Sequence, residues 1–522
     1  MTMRQGRIAV RLKSIKPGAR MDAFTAGEGG AALDYDAAGF GRRATTWRST
    51  AAGPNASLTY AHATLVNRSR DAVRKNPLAD RAAGVIEANM VGTGIKPQFR
   101  TSDTGLNKEL AALWLAWTDE ADADARLDWY GLQSLAVRSM FEAGEVFARF
   151  RIRRPDDLES VPLQVQLLES EFCPLDENRS APGREIRNGI EFDLMGRRKA
   201  YWMYRQHPYD WAVVGGFNDA VTHPVPASEI LHVYEVRRPG AIRGEPWLTR
   251  ALIKLRDLDG FDDATLVRAK VSKLIAGFIT SPDPDTGFEG EGDLEVDADG
   301  NADLIWEPGT IAKLAPGEEI AFSTPQEVSA AYEPFMRQQQ RAVAVATRTL
   351  YEQLTGDYSQ VNDRTFRASV NEFRRGIEAL QFNVLVFQLC RPVVRRWLDL
   401  AVLSGAIALP HGMETSDLYR VEWLPPRWPY IHPVQDVQAD EAEVKAGFSS
   451  RAKKVSERGY DVEEIDRENA DDNARADALG VSYTSDGRTG SMATSGLSVE
   501  AENGESPNAT GAADGVVGAD AT

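Results

Sequence analysis

The sequence predicts an α+β protein, and three observations support this prediction. Apolar residues recur with helical spacing over residues 364–405, and they alternate with period two in several segments between 145 and 236. An acidic, glycine-rich insertion at 281–328 separates two further stretches of helical periodicity. Together these patterns indicate a β-rich body combined with long helices whose apolar faces need partners.

The longest helix is predicted over residues 364–405. Its apolar positions are spaced alternately by four and three residues, which is a heptad seam. The seam consists of Phe366, Val370, Phe373, Ile377, Leu380, Val384 and Phe387. Arg391 interrupts it, and Pro392 removes a backbone donor, so we expect a kink there. A helix of this length reaches roughly 60 Å and needs helices of its own chain, or of copies, to cover the seam.

Composition and charge restrict the class of protein. The chain has 522 residues, is 43% hydrophobic, and carries a formal net charge of −17, which gives a sizeable core and three or four structural units. Because duplex-binding domains are usually basic, tight sequence-specific DNA binding is disfavoured. Two cysteines, Cys173 and Cys390, leave at most one disulfide open, make no disulfide framework or multi-cysteine metal site, and fit a reducing compartment. We recognise no signal peptide and no run of eighteen apolar residues, so we expect no membrane anchor.

The two ends of the chain have the composition of loosely ordered segments. Residues 1–55 are rich in Gly, Ala, Arg and Thr with little periodicity, which predicts a flexible arm or one ordered by partners. Residues 481–522 contain six acids, seven glycines and one aromatic residue, so we expect a disordered acidic tail.

Residues 56–245 are predicted to form the body. Helical periodicity appears on both sides of Pro77, at 106–117 and at 129–144. Gly92-Thr93-Gly94 is interpreted as a helix C-cap, since no strand precedes it, Pro97 replaces the third glycine of a dinucleotide loop, and no helix follows. Alternation with period two predicts strands at 145–152, 163–168, 189–192, 200–204 and 230–236.

Two helices are predicted around the acidic insertion, at 246–280 and at 332–354 within the segment 329–354. Inside the insertion, residues 297–303 place oxygen ligands at alternate positions, as a calcium loop does. The EF-hand pattern fails because its sixth and twelfth positions are Ala302 and Pro308. We therefore expect a hairpin turn there and strands at 303–306 and 311–314.

A polar loop is predicted at 355–363, directly before the long helix. Residues 406–433 return to the body through a strand at 419–423 and a proline-rich link at 425–429. Residues 434–468 predict two helices divided at Gly459-Tyr460.

No catalytic constellation stands out. The six histidines are scattered, and the zinc-protease, phosphate-loop and serine-hydrolase signatures are missing from the sequence. We expect no metal and no cofactor, and an assembly subunit rather than an enzyme. The residues alone leave two other classes open: a multi-helix hydrolase that uses carboxylates, and a non-viral ring-forming scaffold.

The order of several short segments resembles the lambda-type portal proteins of tailed bacteriophages between about residues 68 and 480. These segments are Arg68-Ser69-Arg70-Asp71 with Arg74-Lys75-Asn76-Pro77, Val91-Gly92-Thr93-Gly94-Ile95-Lys96-Pro97, Gly144-Glu145-Val146-Phe147, Leu167-Leu168-Glu169, Ile230-Leu231-His232-Val233-Tyr234 with Arg237-Arg238-Pro239-Gly240, Gly244-Glu245-Pro246-Trp247-Leu248, and Thr355-Gly356-Asp357-Tyr358-Ser359-Gln360 followed by Arg364, Arg367 and Ala368.

The resemblance implies a portal fold assembled as a ring, usually of twelve copies, at one capsid vertex. Double-stranded DNA would pass through the ring during packaging and ejection. The parts would be a β-rich wing (56–245), stem helices (246–280 and 329–354), a small α/β clip (281–328), the long kinked helix and a helical crown (434–480). The implied partners are the terminase large subunit, head-tail adaptor or neck proteins, and the capsid and scaffold proteins. The implied location is the virion, after assembly in the host cytoplasm.

The resemblance also implies site residues. The segment 355–363 would be the tunnel loop, nearest the DNA; its residues are Thr355, Gly356, Asp357, Tyr358, Ser359, Gln360, Val361, Asn362 and Asp363. The candidates for transient phosphate contacts are Lys270, Lys273 and Arg341, and the candidate helix kink is Arg391-Pro392. An acidic channel would offer little counterion release, so DNA could slide through it.

Overall fold

The structure is a computed structural model that describes residues 51–181, 184–210, 221–274, 278–280, 294–296, 302–304, 319–321, 332–426, 428, 433–481 and 483. Between 271 and 321 the backbone alone is described. The arm up to residue 50, the strand predicted at 311–314 and nearly all of the acidic tail lie outside the described residues.

Five helices open the body, and local sequence signals set their ends. They are α1 (Pro54–Thr59), α2 (His62–Lys75), α3 (Pro77–Met90), α4 (Thr104–Glu120) and α5 (Trp129–Ala143). The side chain of Asn76 accepts hydrogen bonds from the backbone N–H groups of Leu78 and Ala79, which caps α3 where Pro77 begins it. The C-cap predicted after α3 is confirmed, with Gly92 and Gly94 at φ values of 50° and 104°.

The strands form small antiparallel sheets. Their bounds are β1 (Lys96–Phe99), β2 (Glu145–Ile152), β3 (Leu163–Leu168), β4 (Arg179–Ala181), β5 (Arg184–Arg187), β6 (Ile190–Phe192), β7 (Arg198–Met203), β8 (His223–Pro226) and β9 (Ile230–Tyr234). One sheet has the order β3-β2-β9, and a second runs from β4 to β8 in sequence order. Strands β2 and β3 confirm the predicted bounds residue for residue.

The long helix is present, and its middle differs from the prediction. It consists of α9 (Asp363–Leu380), a π-helical segment (Gln381–Cys390) and α10 (Arg391–Leu403). The seam is buried from Phe373 to Val384, whereas Phe387 is 59% exposed. The heptad pattern fails at Phe387 because a π-helix, with its i→i+5 hydrogen bonds, rotates by a smaller angle per residue than an α-helix. The side chain of Phe387 is therefore moved off the buried face of the helix. The kink at Arg391-Pro392 stays a prediction; the structure shows that the helix type changes there.

The apolar composition of this helix has a structural explanation. The stretch Asp363–Leu403 is long and apolar enough to cross a membrane, but half of its most apolar window is buried within the protein. Trp397 of α10 packs on Trp114 of α4, with ring centres 5.1 Å apart, and stacks on Phe99 of β1 at 5.9 Å. Such packing is typical of the core helix of a globular body.

One sheet joins the body to the segment that follows the long helix. Strand β14 (Val421–Leu424) pairs antiparallel with β1, with Lys96 opposite Leu424 and Phe99 opposite Val421. A short helix, α11 (Thr415–Leu418), precedes β14. We did not predict β1, since its four residues include Pro97 and are too few to show a period.

Both stem-type helices are shorter than predicted. The first is α6 (Leu252–Leu274); residues 278–280, predicted as helix, form β10 (Phe278–Thr280) and pair with β13 (Glu319–Ala321). Aromatic and β-branched residues with a pairing partner outweigh the helical pattern there. The second helix is divided into α7 (Tyr332–Thr347) and α8 (Tyr351–Thr355), because Arg348 adopts a positive φ of 60°.

The insertion and the crown region complete the chain. Strands β11 (Leu294–Val296) and β12 (Ala302–Leu304) pair antiparallel, as the predicted hairpin requires; the turn between them lies outside the described residues. The crown region has three helices rather than the predicted two, namely α12 (Pro433–Lys445), α13 (Arg451–Glu457) and α14 (Val462–Leu479). The additional break occurs where Gly447 has a φ of 77° and the Ser450 side chain caps α13.

Candidate functional site

The loop before the long helix is shorter than the segment 355–363, because both of its ends are helical. Thr355 is the last residue of α8, and Asp363 is the first of α9. Gly356 ends α8 in the left-handed conformation, with a φ of 74°, and its N–H bonds to the carbonyl of Glu352. Asn362 caps α9 by accepting a hydrogen bond from the N–H of Arg364.

Asp357 fixes the shape of this loop. Its Oδ1 accepts hydrogen bonds from the backbone N–H of Ser359 at 3.0 Å and from the Ser359 hydroxyl at 2.6 Å. Its Oδ2 accepts one from the Tyr351 hydroxyl at 2.9 Å. The bonds from Ser359, followed by that from Tyr351, lower the pKa of Asp357 to about 2. The carboxylate is therefore ionised at neutral pH and holds the loop from its base.

The tip of the loop faces outward. Tyr358 is 53% exposed, and its ring lies edge-on to Phe366 of α9 with centres 5.8 Å apart. Ser359 and Gln360 are exposed beside it. Residues 355–363 contain two carboxylates and no lysine or arginine. The loop therefore presents neutral polar groups and an aromatic ring on a fixed base.

The structure places one of the three candidate basic residues near the loop. Arg341 of α7 is exposed, and its guanidinium lies 5.4 Å from the ring centre of Tyr351, the residue that bonds Asp357. Lys270 is exposed on α6 and makes no hydrogen bond or ion pair with the loop among the described residues. The side chain of Lys273 lies outside them.

A buried ionic cluster, which we did not predict, lies within the body, and one of its members directly precedes the helical segment predicted from residue 246. Glu145, the first residue of β2, has no exposed side-chain surface. Arg243 donates to its Oε1 from Nε at 2.8 Å and from Nη2 at 2.5 Å. The Ser170 hydroxyl donates to Oε1 at 2.7 Å, and the N–H of Gly244 donates to Oε2 at 2.7 Å. Each carboxylate oxygen is thus satisfied, as a buried charge requires.

Two histidines complete the cluster. His232 of β9 lies 2.9 Å from Glu145 Oε2 through Nε2, and Arg198 lies 3.5 Å from its Nδ1. Because arginine only donates, this network assigns the His232 proton to Nε2. His62 of α2 lies further away, with Nε2 3.8 Å from Glu145 Oε1.

Burial and charge act differently on the groups of this cluster. Burial alone would raise the pKa of Glu145, but the charge of Arg243 and the bond from His232 hold it well below its usual range. Burial lowers the pKa of His232 to about 4 and also lowers that of His62. At neutral pH the cluster is therefore an ionised Glu–Arg pair flanked by neutral histidines.

Two glycines allow the backbones around the cluster to touch. A Cβ on Gly244 would lie 2.1 Å from the carbonyl oxygen of Gly144, and one on Gly144 would lie 2.3 Å from the carbonyl carbon of Glu245. Gly144 also has a φ of 87°. The pairs Gly144-Glu145 and Gly244-Glu245, which carried part of the resemblance, are thus in contact. The two pairs are about a hundred residues apart in the sequence, so no local sequence pattern indicated that they meet.

The architecture is a mixed α and β body that carries further helices, a β-containing insertion and a long helix with a partly exposed apolar face. The family described as phage portal protein, lambda family, matches residues 40–381. The chain therefore belongs to the lambda family of phage portal proteins, which are structural components of the virion.

Curated relatives match over most of their length. The chain is 22% identical to the probable portal protein of Halomonas phage phiHAP-1 over 480 residues, which covers 89% of this chain and 90% of that protein. It is also 22% identical to portal protein B of Escherichia phage lambda over 475 residues, covering 82% and 86%.

Two of the solved structures to which the chain is similar are the following. One is the neck of a native gene transfer agent particle computed with C12 symmetry, with 14% identity, a TM-score of 0.41, and coverage of 76% of this chain and 93% of that chain. Another is an HK97 family phage portal protein from Corynebacterium diphtheriae, with 13% identity, a TM-score of 0.29, and coverage of 65% and 98%.

Proposed function

We propose that copies of this chain form a ring, of twelve subunits, at one vertex of a phage capsid, and that double-stranded DNA passes through it. The subunits would assemble in the host cytoplasm and remain in the virion. Membership of the portal family supports this function. We place the DNA next to the loop at 356–362. This placement rests on the geometry of the loop, which Asp357 fixes at its base and which is exposed at Tyr358, Ser359 and Gln360.

The chemistry of the loop suits a moving polymer. Affinity for duplex DNA grows with the number of phosphates that lysine and arginine neutralise. Residues 355–363 provide no such cation, and Asp357 keeps its charge because Ser359 and Tyr351 bond it. The loop would therefore touch DNA through neutral groups and leave the duplex free to slide.

Cross-linking tests the position of the loop. Gln360 is replaced by photoreactive benzoylphenylalanine, and DNA-filled heads are irradiated. We expect covalent attachment of DNA to position 360. The control places the same residue at Leu194, which is 89% exposed in the body. Equal cross-linking at both positions, or none at 360 in filled heads, would contradict the proposed channel.

A packaging assay tests the basic residues. Replacing Lys270, Lys273 and Arg341 with alanine, singly and together, should change the packaging rate if they make transient phosphate contacts. Unchanged packaging in the triple variant would refute this role. Arg341 also stacks on Tyr351, so Arg341→Ala could alter the packaging rate by disturbing the loop. Tyr351→Phe is the control for this effect, because it removes the hydrogen bond to Asp357 and keeps the ring.

The insertion is proposed to dock terminase first and an adaptor ring later. Thr280 pairs with Glu319 in the sheet of β10 and β13, so a two-residue Asn-Gly turn can replace residues 281–318 and close a hairpin. We expect this variant to form rings of normal symmetry that no longer bind the terminase large subunit. Rings that retain full terminase binding would place the docking site elsewhere.

A further inference from the structure

A cavity of about 250 Å³ lies between α10 and β14, and its lining residues belong neither to the loop nor to the buried cluster. Arg391 and Arg395, one helical turn apart, line it together with Arg420, which precedes β14. The buried side chains of Val394 and Leu398 line it as well, as does Trp423. Three cationic side chains thus meet at one small cavity in a chain whose net charge is −17.

Two of these arginines have no carboxylate partner. Within the part of the chain that the structure describes, Arg391 and Arg395 make no ion pair and no hydrogen bond. Their guanidinium groups lie over aromatic rings instead, Arg391 5.6 Å from the centre of Phe387 and Arg395 5.8 Å from that of Tyr419. Stacking of this kind restricts a guanidinium but leaves its N–H donors available.

The nearby acids are already engaged. Asp399, one turn beyond Arg395, accepts a hydrogen bond from the Tyr419 hydroxyl. Asp417 lies 3.2 Å from Arg420 and also accepts bonds from the N–H and hydroxyl of Ser102. Counted against the three arginines, Asp399 and Asp417 leave a net charge of about +1 at the cavity, and neither carboxylate is bonded to Arg391 or Arg395.

We propose that this cavity is a binding site for a phosphate group. A phosphate carries a charge of about −1.5 to −2 when it is a monoester and offers several acceptor oxygens. Planar guanidinium forks bind such oxygens in pairs, and a single carboxylate would neutralise only one of the two free arginines. Since a water occupies about 30 Å³ in the liquid, 250 Å³ has room for a pyrophosphate but not for a duplex.

The phosphate can come from two sources with the same chemistry. One is a free compound such as pyrophosphate or a nucleotide; the other is the backbone of a DNA strand laid along the exposed arginines. Either would connect α10 to Arg420 and so fasten the long helix to the sheet of β1 and β14. Occupancy should therefore raise the thermal stability of the body.

Calorimetric titration of the full chain with sodium pyrophosphate, at constant ionic strength, tests the site. We expect saturable binding of one anion per chain and a rise in the thermal midpoint. The double variant R391A/R395A should weaken binding about tenfold or more, since charge-assisted hydrogen bonds are lost. The matched control R375A/R451A removes two exposed arginines elsewhere, which pair with Glu372 and Asp466, and should bind as the unaltered chain does.

Further variants and a competitor complete the test. R420A removes the third cation from the other side and should also weaken binding, which keeps the proposal testable if the double variant fails to fold. A short DNA duplex that displaces pyrophosphate identifies the DNA backbone as the source, and failure to displace it identifies a free compound. No saturable binding, or equal loss in R375A/R451A, would overturn the proposal.

Discussion

The side-chain amide of Gln388 binds both backbone polar groups of Tyr234. The N–H of Tyr234 donates to Gln388 Oε1 at 2.9 Å, and Gln388 Nε2 donates to the Tyr234 carbonyl at 3.1 Å. Strand β9 is at the edge of its sheet, so these groups lack a strand partner on that side. The π segment of the long helix thus occupies the place of a neighbouring strand and ties the helix to the body.

Replacing Gln388 with alanine should destabilise the body. The change leaves the N–H and carbonyl of Tyr234 without partners, which costs about 1–3 kcal/mol. The free energy of unfolding by urea, followed by tryptophan fluorescence, measures the loss. The control is Asn383→Ala, an exposed position of the same π segment, which should change stability by no more than about 0.5 kcal/mol. Equal effects of the two substitutions would show that the amide pair contributes nothing.

Replacing Glu145 with glutamine should be far more damaging than its size suggests. The variant leaves the charge of the fully buried Arg243 uncompensated, and breaking a buried pair costs about 3–5 kcal/mol. Urea unfolding compares it with Glu372→Gln, which breaks the exposed pair with Arg375 and should cost less than about 1 kcal/mol. A small effect at Glu145 would mean that water reaches the cluster.

Stability of the body should fall as pH drops below about 6.5. The pKa of His232 is about 4 in the folded chain and 6.5 in the unfolded chain, so the unfolded state takes up the proton first. Stability is therefore full above pH 6.5 and declines towards pH 4, by roughly 3 kcal/mol from this group. His62, whose pKa is also lowered, acts in the same direction. When the pH falls below the usual pKa range of a glutamate, Glu145 adds to the decline, because its pKa in the folded chain is lowered as well.

Thermal unfolding between pH 7.5 and 4.5 measures this dependence. His232→Gln keeps a donor for Glu145 and cannot titrate, so it should flatten the profile between pH 6.5 and 4.5. His411, an exposed histidine, serves as the control, and His411→Gln should leave the profile unchanged. A profile that His232→Gln does not alter would assign the pH dependence to other groups.

Replacing Gly244 with alanine should disrupt the close contact between the Gly144 and Gly244 backbones. Its Cβ would lie 2.1 Å from the Gly144 carbonyl oxygen, which forces the two backbones apart at a cost of about 3 kcal/mol or more. Gly376→Ala is the contrasting change, because nothing lies within 4 Å of its added Cβ and the position is inside α9. That substitution should stabilise the chain by about 0.5–1 kcal/mol. Differential scanning calorimetry of the two variants gives the comparison.

The sequence by itself determined those elements whose signals are local. The caps at Asn76 and Asn362, the alternation in β2 and β3, and the heptad pattern of α9 all lie within a few residues of the structure they specify. The order of short segments was specific enough to indicate the portal family, which the match over residues 40–381 shows. Helix ends at Arg348 and Gly447 were missed, since a single residue with positive φ leaves little trace in a periodic pattern.

The tertiary structure alone decided which distant residues meet. Glu145 binds His232 and Arg243 across 87 and 98 residues of sequence, and Gln388 binds Tyr234 across 154. Arg391, expected only to mark a kink, lines a cavity with Arg420 of another element. Such contacts depend on how faces are oriented after folding, and a π segment changes that orientation without changing the residues. Local pattern specifies elements, whereas burial and long-range pairing of charge specify where they join.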